Sequence, residues 1–131
     1  MKAFISEDIP EPLVIHYDPQ HGVILAAVNG DLNRKVLSDF YTAAGRIAEK
    51  NNCTRILTDL RNARVVATSF ELYFEITDLN QKKIHESFRR AIVISQNEEF
   101  YGFWENASIN LGYENVKVFK DYDEALKWVV I

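Results

Sequence analysis

The chain has 131 residues, 47% of them hydrophobic, 26% charged and 12% aromatic, with a net charge of −4. That is the length of one domain with enough apolar and aromatic side chains to fill a core, which excludes an intrinsically disordered chain. A single cysteine excludes an intrachain disulfide framework and a multi-cysteine zinc site, and the acidic balance argues against nucleic acid as a partner.

Residues 1–11 read as a loose arm rich in Glu, Asp and Pro, and 12–131 as one domain. No apolar segment of signal-peptide type follows Met1-Lys2-Ala3-Phe4-Ile5. The longest apolar run, Val23 to Val28, falls far short of the roughly 20 residues that cross a bilayer. With Cys53 read as a small, partly buried apolar residue, a reducing, cytoplasmic location is expected.

Leu13-Val14-Ile15-His16-Tyr17 and Val23 to Val28 are β-rich runs separated by the turn signal Asp18-Pro19-Gln20-His21-Gly22. They predict an antiparallel hairpin. After Asn29-Gly30-Asp31, the residues Val36, Leu37, Phe40, Tyr41, Ala44, Ile47 and Ala48 fall on one helical face. Asp31 or Asn33 can cap that helix, and Asn51-Asn52 ends it.

Arg55 to Leu60 predicts a third strand. Thr68-Ser69-Phe70-Glu71 matches a capping box and opens a second helix expected to reach about Lys83. Ala91 to Ile94, apolar throughout, has the pattern of a strand buried on both faces. A third helix is expected over Glu98 to Leu111, with Phe100, Phe103, Trp104, Ala107 and Leu111 inside and Gly112 just past its end. Val116 to Phe119 predicts a fifth strand, and Asp121 to Glu124 a second capping box. The last helix then carries Tyr122, Ala125, Leu126 and Val129 inward.

The resulting order, β-β-α-β-α-β-α-β-α, predicts an α/β fold with a mixed sheet. An N-terminal antiparallel hairpin leads into parallel strands joined by crossover helices.

This order, with Ile56-Leu57-Thr58-Asp59-Leu60-Arg61 ahead of a capped helix, resembles the STAS superfamily, and more narrowly the SpoIIAA-like proteins. The ending Val118-Phe119-Lys120-Asp121-Tyr122-Asp123-Glu124-Ala125-Leu126-Lys127-Trp128 is similar to their closing strand and helix. The resemblance covers roughly residues 12–131. It implies a regulatory module switched by phosphorylation at the start of the helix after the central strand, a position held here by Thr68 or Ser69. Ala67 precedes where the family favours Asp, and Phe70 follows where it favours a small residue. The SpoIIAA-like branch also resembles CRAL-TRIO lipid carriers, which implies an apolar ligand or membrane contact.

No catalytic constellation is visible in the residues themselves. His16, His21 and His85 lack metal-ligand spacing, and there is no nucleophile elbow or phosphate-binding glycine loop. Neither catalytic residues, a metal nor another cofactor is expected. Asp59, Arg61, Ser95, Asn97, Lys120 and Asp121 are expected at strand carboxyl ends, where open α/β sheets bind ligands. There an Asp59–Arg61 pair can hold a polar ligand or tie down its own loop.

The second helix carries the strongest signal. Phe70, Leu72, Tyr73, Phe74, Ile76 and Leu79 span an arc of about 220°, whereas a surface helix needs little more than about 100°. The excess predicts a neighbour beyond the sheet: an internal helix, a second copy of the chain in a homodimer, a partner protein, an apolar ligand or a membrane surface. Phe70, Leu72, Tyr73, Phe74, Ile76, Phe103 and Trp104 are the candidate ligand or partner surface. Lys82, Lys83, Arg89 and Arg90 are either a solvated helix end or an anionic contact that would assist peripheral membrane binding. The first expectation is a non-enzymatic regulatory or protein-interaction module. The alternative is a carrier or sensor of a lipid or other apolar small molecule.

Overall fold

The computed structural model describes residues 9–131, so most of the arm expected over 1–11 lies outside the described residues. The hairpin forms as the two β-rich runs and their turn signal predict: β1 (Leu13–Asp18) runs antiparallel to β2 (Val23–Val28), with Leu13 opposite Val28. Asn29 and Gly30 then release the chain into β3 (Asp31–Leu32), a two-residue strand that the sequence pattern did not reveal. It pairs in parallel with an equally short β5 (Arg64–Val65), with Asp31 gripping the Arg64 guanidinium at 2.8 and 2.9 Å.

α1 (Arg34–Asn51) is capped by Asn33, whose side chain accepts the Val36 N–H at 2.9 Å. It ends in the left-handed Asn52. β4 (Arg55–Asp59), β6 (Arg89–Val93) and β7 (Val116–Phe119) follow β2 in parallel, giving one five-stranded mixed sheet in the order β1-β2-β4-β6-β7. α2 (Ser69–Thr77), α3 (Glu98–Asn110) and α4 (Tyr122–Val129) complete the four α-helices of the described residues.

Side-chain alternation divides the core between the two sheet faces. Ile15, Ile24, Ile56 and Ile92 point to the side of α1, α2 and α3, where they join Leu37, Tyr41, Ile76 and Trp104. Val23, Leu57, Ala91 and Val93 point to the other side and pack with Ala125 and Val129 of α4. β6 is thus buried on both faces, as its unbroken apolar run predicts. Its own Arg90 is an exception to that apolarity inside the core.

Two helices depart from the expected pattern. α2 stops at Thr77 rather than near Lys83. Asp78 and Asn80 favour turns over helix interiors, and Thr77 Oγ1 donates back to the Phe74 carbonyl at 2.7 Å. A 3-10 turn over Asn80–Lys82 follows, and Lys83 adopts a left-handed backbone (φ 70°). In α3 the buried set is Tyr101, Trp104, Ala107 and Ser108, while Phe100 is half-buried and Phe103 faces outward. The two residues the apolar count omitted, Tyr101 and Ser108, share a helical face with Trp104.

Candidate interaction surface

The segment from β4 to α2 is built by short-range bonds. Arg61 grips Asp59 through Nε and Nη2 at 2.9 and 2.8 Å, and Ser95 Oγ donates to the Arg61 carbonyl at 3.0 Å. The N–H groups of Val66 and Ala67 both reach the Leu32 carbonyl, at 3.0 and 2.9 Å. The chain is thereby delivered to Thr68, the α2 N-cap. Its hydroxyl accepts the Glu71 N–H at 3.1 Å, and the Glu71 carboxylate accepts the Thr68 N–H at 3.0 Å. This is the reciprocal box predicted from Thr68 and Glu71. Thr68, Ser69 and Phe70 are all exposed, and the Thr68 hydroxyl is the one engaged as the cap.

α2 is apolar on two opposite sides. Leu72 and Ile76, with Leu79 beyond the helix end, are fully buried against the neighbouring helices. On the outer side Phe70 is 69% exposed, Phe74 44% and Tyr73 40%. Phe70 and Phe74, one turn apart, meet edge to face with centroids 4.7 Å apart, and the Arg34 guanidinium lies over Phe74 at 5.8 Å. Between the two faces sits Glu75, buried and charged. Arg34 Nε approaches its carboxylate at 3.2 Å and Lys82 Nζ at 3.3 Å.

The expected apolar surface therefore splits. Phe70, Tyr73 and Phe74 form an exposed cluster, and Phe103 of α3 is 37% exposed. Leu72, Ile76 and Trp104 belong to the core, Trp104 being 1% exposed. A wide apolar arc alone could not say which part of it faced inward, because α2 lies against α1 and α3 rather than on the sheet.

The four cations do not form one anionic contact. Lys82 is turned inward and donates to Ser38 Oγ at 2.8 Å as well as to Glu75. Lys83 reaches Glu49 at 3.2 Å across the surface. Arg89 donates to the Trp128 carbonyl at 2.7 Å and stacks over the Trp128 ring at 4.0 Å, closing the C-terminal end of α4. Arg90 is buried, with Nη2 donating to the Tyr41 hydroxyl at 3.1 Å. Sequence proximity at the start of β6 put these charges together, and strand alternation sends Arg89 and Arg90 to opposite faces.

Arg90 is one of several buried polar groups that sequence reading missed. Arg90 Nη1, Tyr101 OH, Trp104 Nε1 and Ser108 Oγ are buried without a hydrogen-bond partner among the described residues. Tyr41 and Trp104 meet edge to face at 6.3 Å, and Tyr101 stacks on Trp104 at 6.2 Å. Burial raises the Tyr41 pKa above its ordinary value and pushes the Tyr101 phenol up to about 12. Both phenols are thus neutral over the physiological range. The signal available in sequence was an arginine leading into an apolar strand.

The strand carboxyl ends hold bonds of local structure. The Arg61 guanidinium beside Asp59 holds that carboxyl below its ordinary range. Arg61 also lies 5.4 Å over the Tyr122 ring, and Lys120 pairs with Glu98 at 3.0 Å. Asp121 caps α4 by accepting the Glu124 N–H at 3.0 Å, while Asn97, the left-handed N-cap residue of α3, makes no side-chain cap bond among the described residues. Of the two readings of the Asp59–Arg61 pair, loop anchoring is the one its bonds perform.

Among the described residues no group of three or more His, Cys, Asp or Glu side chains is arranged to hold a metal ion. No described helix is long and apolar enough to cross a membrane. The chain matches no protein-family model and no curated protein.

Proposed function

We propose that this chain is a non-enzymatic interaction module of the STAS, SpoIIAA-like type that docks a partner protein on the outer face of α2. The observation that carries the reading is the cluster of Phe70, Tyr73 and Phe74, turned to water beside a helix cap that bears two exposed hydroxyl residues. With roughly 200 Å² for each aromatic side chain, their exposures leave on the order of 300 Å² of ring surface in water. That is the scale of the largest apolar patch on a typical monomer, which is often a functional one. Its burial is worth roughly 7 kcal/mol at about 25 cal/mol per Å², before the cost of association is subtracted. It can serve as the apolar centre of an interface whose full extent is about 800 Å² per partner.

Ser69 and Thr68 would set the charge beside this centre. A phosphate on Thr68 would meet the Glu71 carboxylate that already occupies the cap, whereas the Ser69 side chain is outside that reciprocal box. Ser69 is therefore the better switch. The carrier reading is the weaker one, since Leu72, Ile76 and Trp104 are committed to the core.

The test compares affinity capture by the wild type, Phe70→Ser/Phe74→Ser and Ser69→Asp. The double variant should keep its melting temperature within a few degrees and lose the partner, because exposed side chains contribute little to folding. Ser69→Asp should change the amount captured. Recovery of the same proteins by all three would sink the reading.

A further inference from the structure

Asn29-Gly30 joins β2 to β3, and the docking face on α2 makes no use of it. Nowhere else in the 131 residues does glycine follow asparagine. Every other asparagine precedes a residue that carries a Cβ.

The Asn29 side chain belongs to an exposed residue. The dipeptide is anchored on either side. The Asn29 N–H donates to the Pro12 carbonyl at 3.1 Å, and the Gly30 carbonyl accepts the Arg64 N–H at 2.8 Å. Between these bonds, the Gly30 N–H finds no main-chain acceptor among the described residues. Glycine is needed at this point. Its φ is 154°, which residues with side chains rarely adopt, and a Cβ there would come within 3.1 Å of the Pro12 Cβ. The same missing Cβ leaves the Gly30 nitrogen unshielded beside a carboxamide of the preceding residue. Asparagine is among the chemically labile side chains, and a nucleophile one bond along the chain needs no encounter to reach it.

We propose that Asn29 is a self-modification site, at which the folded chain converts this asparagine to aspartyl and isoaspartyl residues. The Gly30 nitrogen bonds to Asn29 Cγ, the Cγ–Nδ2 bond breaks, and the Gly30 amide proton departs with that nitrogen as ammonia. Water, the one co-reactant, then opens the cyclic imide. Attack at Cγ restores the main chain and leaves an aspartate. Attack at the main-chain carbonyl leaves the chain running through Cβ and Cγ, lengthened by a methylene.

Both products place a new carboxylate two residues ahead of Asp31, whose own carboxylate holds Arg64. The longer product also shifts Gly30 and Leu32 against the bonds they accept. These come from the Arg64 N–H at Gly30, and from the Val66 and Ala67 N–H groups at Leu32. The paired β3 and β5 are therefore the part of the fold that the modification loosens.

The test holds the full chain folded at mildly alkaline pH and follows it by peptide mass mapping. The Asn29 peptide should exchange an amide nitrogen for a hydroxyl oxygen and resolve into two products of equal mass. Peptides carrying the other asparagines should stay unchanged. The rate should rise in proportion to hydroxide and be independent of protein concentration, because the nucleophile is an amide of the same chain. Hydroxylamine added to the folded chain should trap the imide and cut between residues 29 and 30. Asn29→Gln, which would need a larger ring, should keep its mass. In the separated isoaspartyl fraction the amides of Arg64, Val66 and Ala67 should exchange faster than in the fresh chain. A folded chain that keeps Asn29 intact over the time in which the urea-unfolded chain loses it would overturn the proposal. The turn would then hold the carboxamide out of reach of the Gly30 nitrogen. Equal loss at other asparagines would also overturn it, as would an isoaspartyl chain whose exchange is unaltered.

Discussion

Glycine-to-alanine substitutions in two helices should change stability in opposite directions. In a helix interior, glycine costs about 1 kcal/mol relative to alanine, so each substitution begins with that gain. Gly102, in the middle of α3, has no atom of the described residues within 4 Å of where a Cβ would sit, so the gain should be realised. Gly45, in the middle of α1, has the backbone of Lys82 against it. An added Cβ would overlap the Lys82 carbonyl oxygen and lie 2.9 Å from its carbonyl carbon. Overpacking costs about 1–3 kcal/mol when flexible side chains can yield. Here the obstacle is main chain, and moving it would disturb the bonds of Lys82 to Ser38 and Glu75. The net expectation for Gly45→Ala is a loss of roughly 2–3 kcal/mol after the helix gain is counted. At about 4 °C per kcal/mol for a chain of this size, Gly102→Ala should raise Tm by about 4 °C and Gly45→Ala should lower it by about 8–12 °C. Calorimetry or urea melts on the two single variants provide the comparison. A neutral or stabilising Gly45→Ala would refute the close approach of α1 to the 3-10 turn.

Three further outcomes follow from the charged and buried groups. Asp59 has a folded pKa lowered chiefly by its bond to Arg61, so its contribution is full above the unfolded value near 3.9 and is lost as pH falls through the folded value. With the exposure of Arg61 discounted, Asp59→Asn should cost about 0.5 kcal/mol at neutral pH and flatten the acid limb of a stability profile. A limb of unchanged steepness would count against the pair. Tyr101, pushed up to about 12, should contribute stability that is full below pH ~10 and lost as pH rises through the folded value. Tyr101→Phe should remove that alkaline loss from urea midpoints without lowering neutral stability, because the hydroxyl has no partner among the described residues. Tyr41→Phe, which strips Arg90 of its hydrogen-bond partner, should cost about 2–4 kcal/mol, and Arg90→Met distinctly less. The reverse order in denaturant midpoints would mean that Arg90 is satisfied elsewhere.

The elements that could be read from sequence were those whose signal is local. The hairpin followed from two β-rich runs around Asp18-Pro19-Gln20-His21-Gly22, and the α2 start from the Thr68–Glu71 spacing. The mini-sheet of Asp31–Leu32 with Arg64–Val65 was hidden because two residues carry no periodicity and its bonds join segments far apart in the chain. The facing of α3 was missed for a related reason. Apolar counting favoured Phe103 over Tyr101, yet packing around Trp104 accepted a phenol and a serine and left the phenylalanine outside. The grouping of Lys82, Lys83, Arg89 and Arg90 failed because linear proximity does not register strand alternation or a buried acceptor such as the Tyr41 hydroxyl. Of the candidate surface, Phe70, Tyr73 and Phe74 are the α2 residues that stay exposed. Which side of the helix faced water was fixed only by the packing of α1 and α3.

That packing also explains why α2 can carry a surface unrelated to folding. α1 approaches the backbone of Lys82 at Gly45, a closeness only glycine permits. The approach brings the Lys82 side chain to Ser38 and to Glu75 on the inner flank of α2. Arg34, at the first turn of α1, supplies the second cation to the same carboxylate. A buried carboxylate would be costly alone, and with both cations it becomes a clamp that holds α2 against α1. Leu72 and Ile76 complete the attachment from the same side. Of the outer aromatics, Phe74 touches this attachment through the Arg34 guanidinium that lies 5.8 Å over its ring, while the carboxylate itself is held by Arg34 and Lys82. The exposure of these aromatics is a standing cost in solubility that folding does not require. Loss of the clamp, as in Glu75→Gln, should therefore loosen α2 and the aromatic face together, whereas loss of the aromatics should leave the clamp and the melting temperature in place.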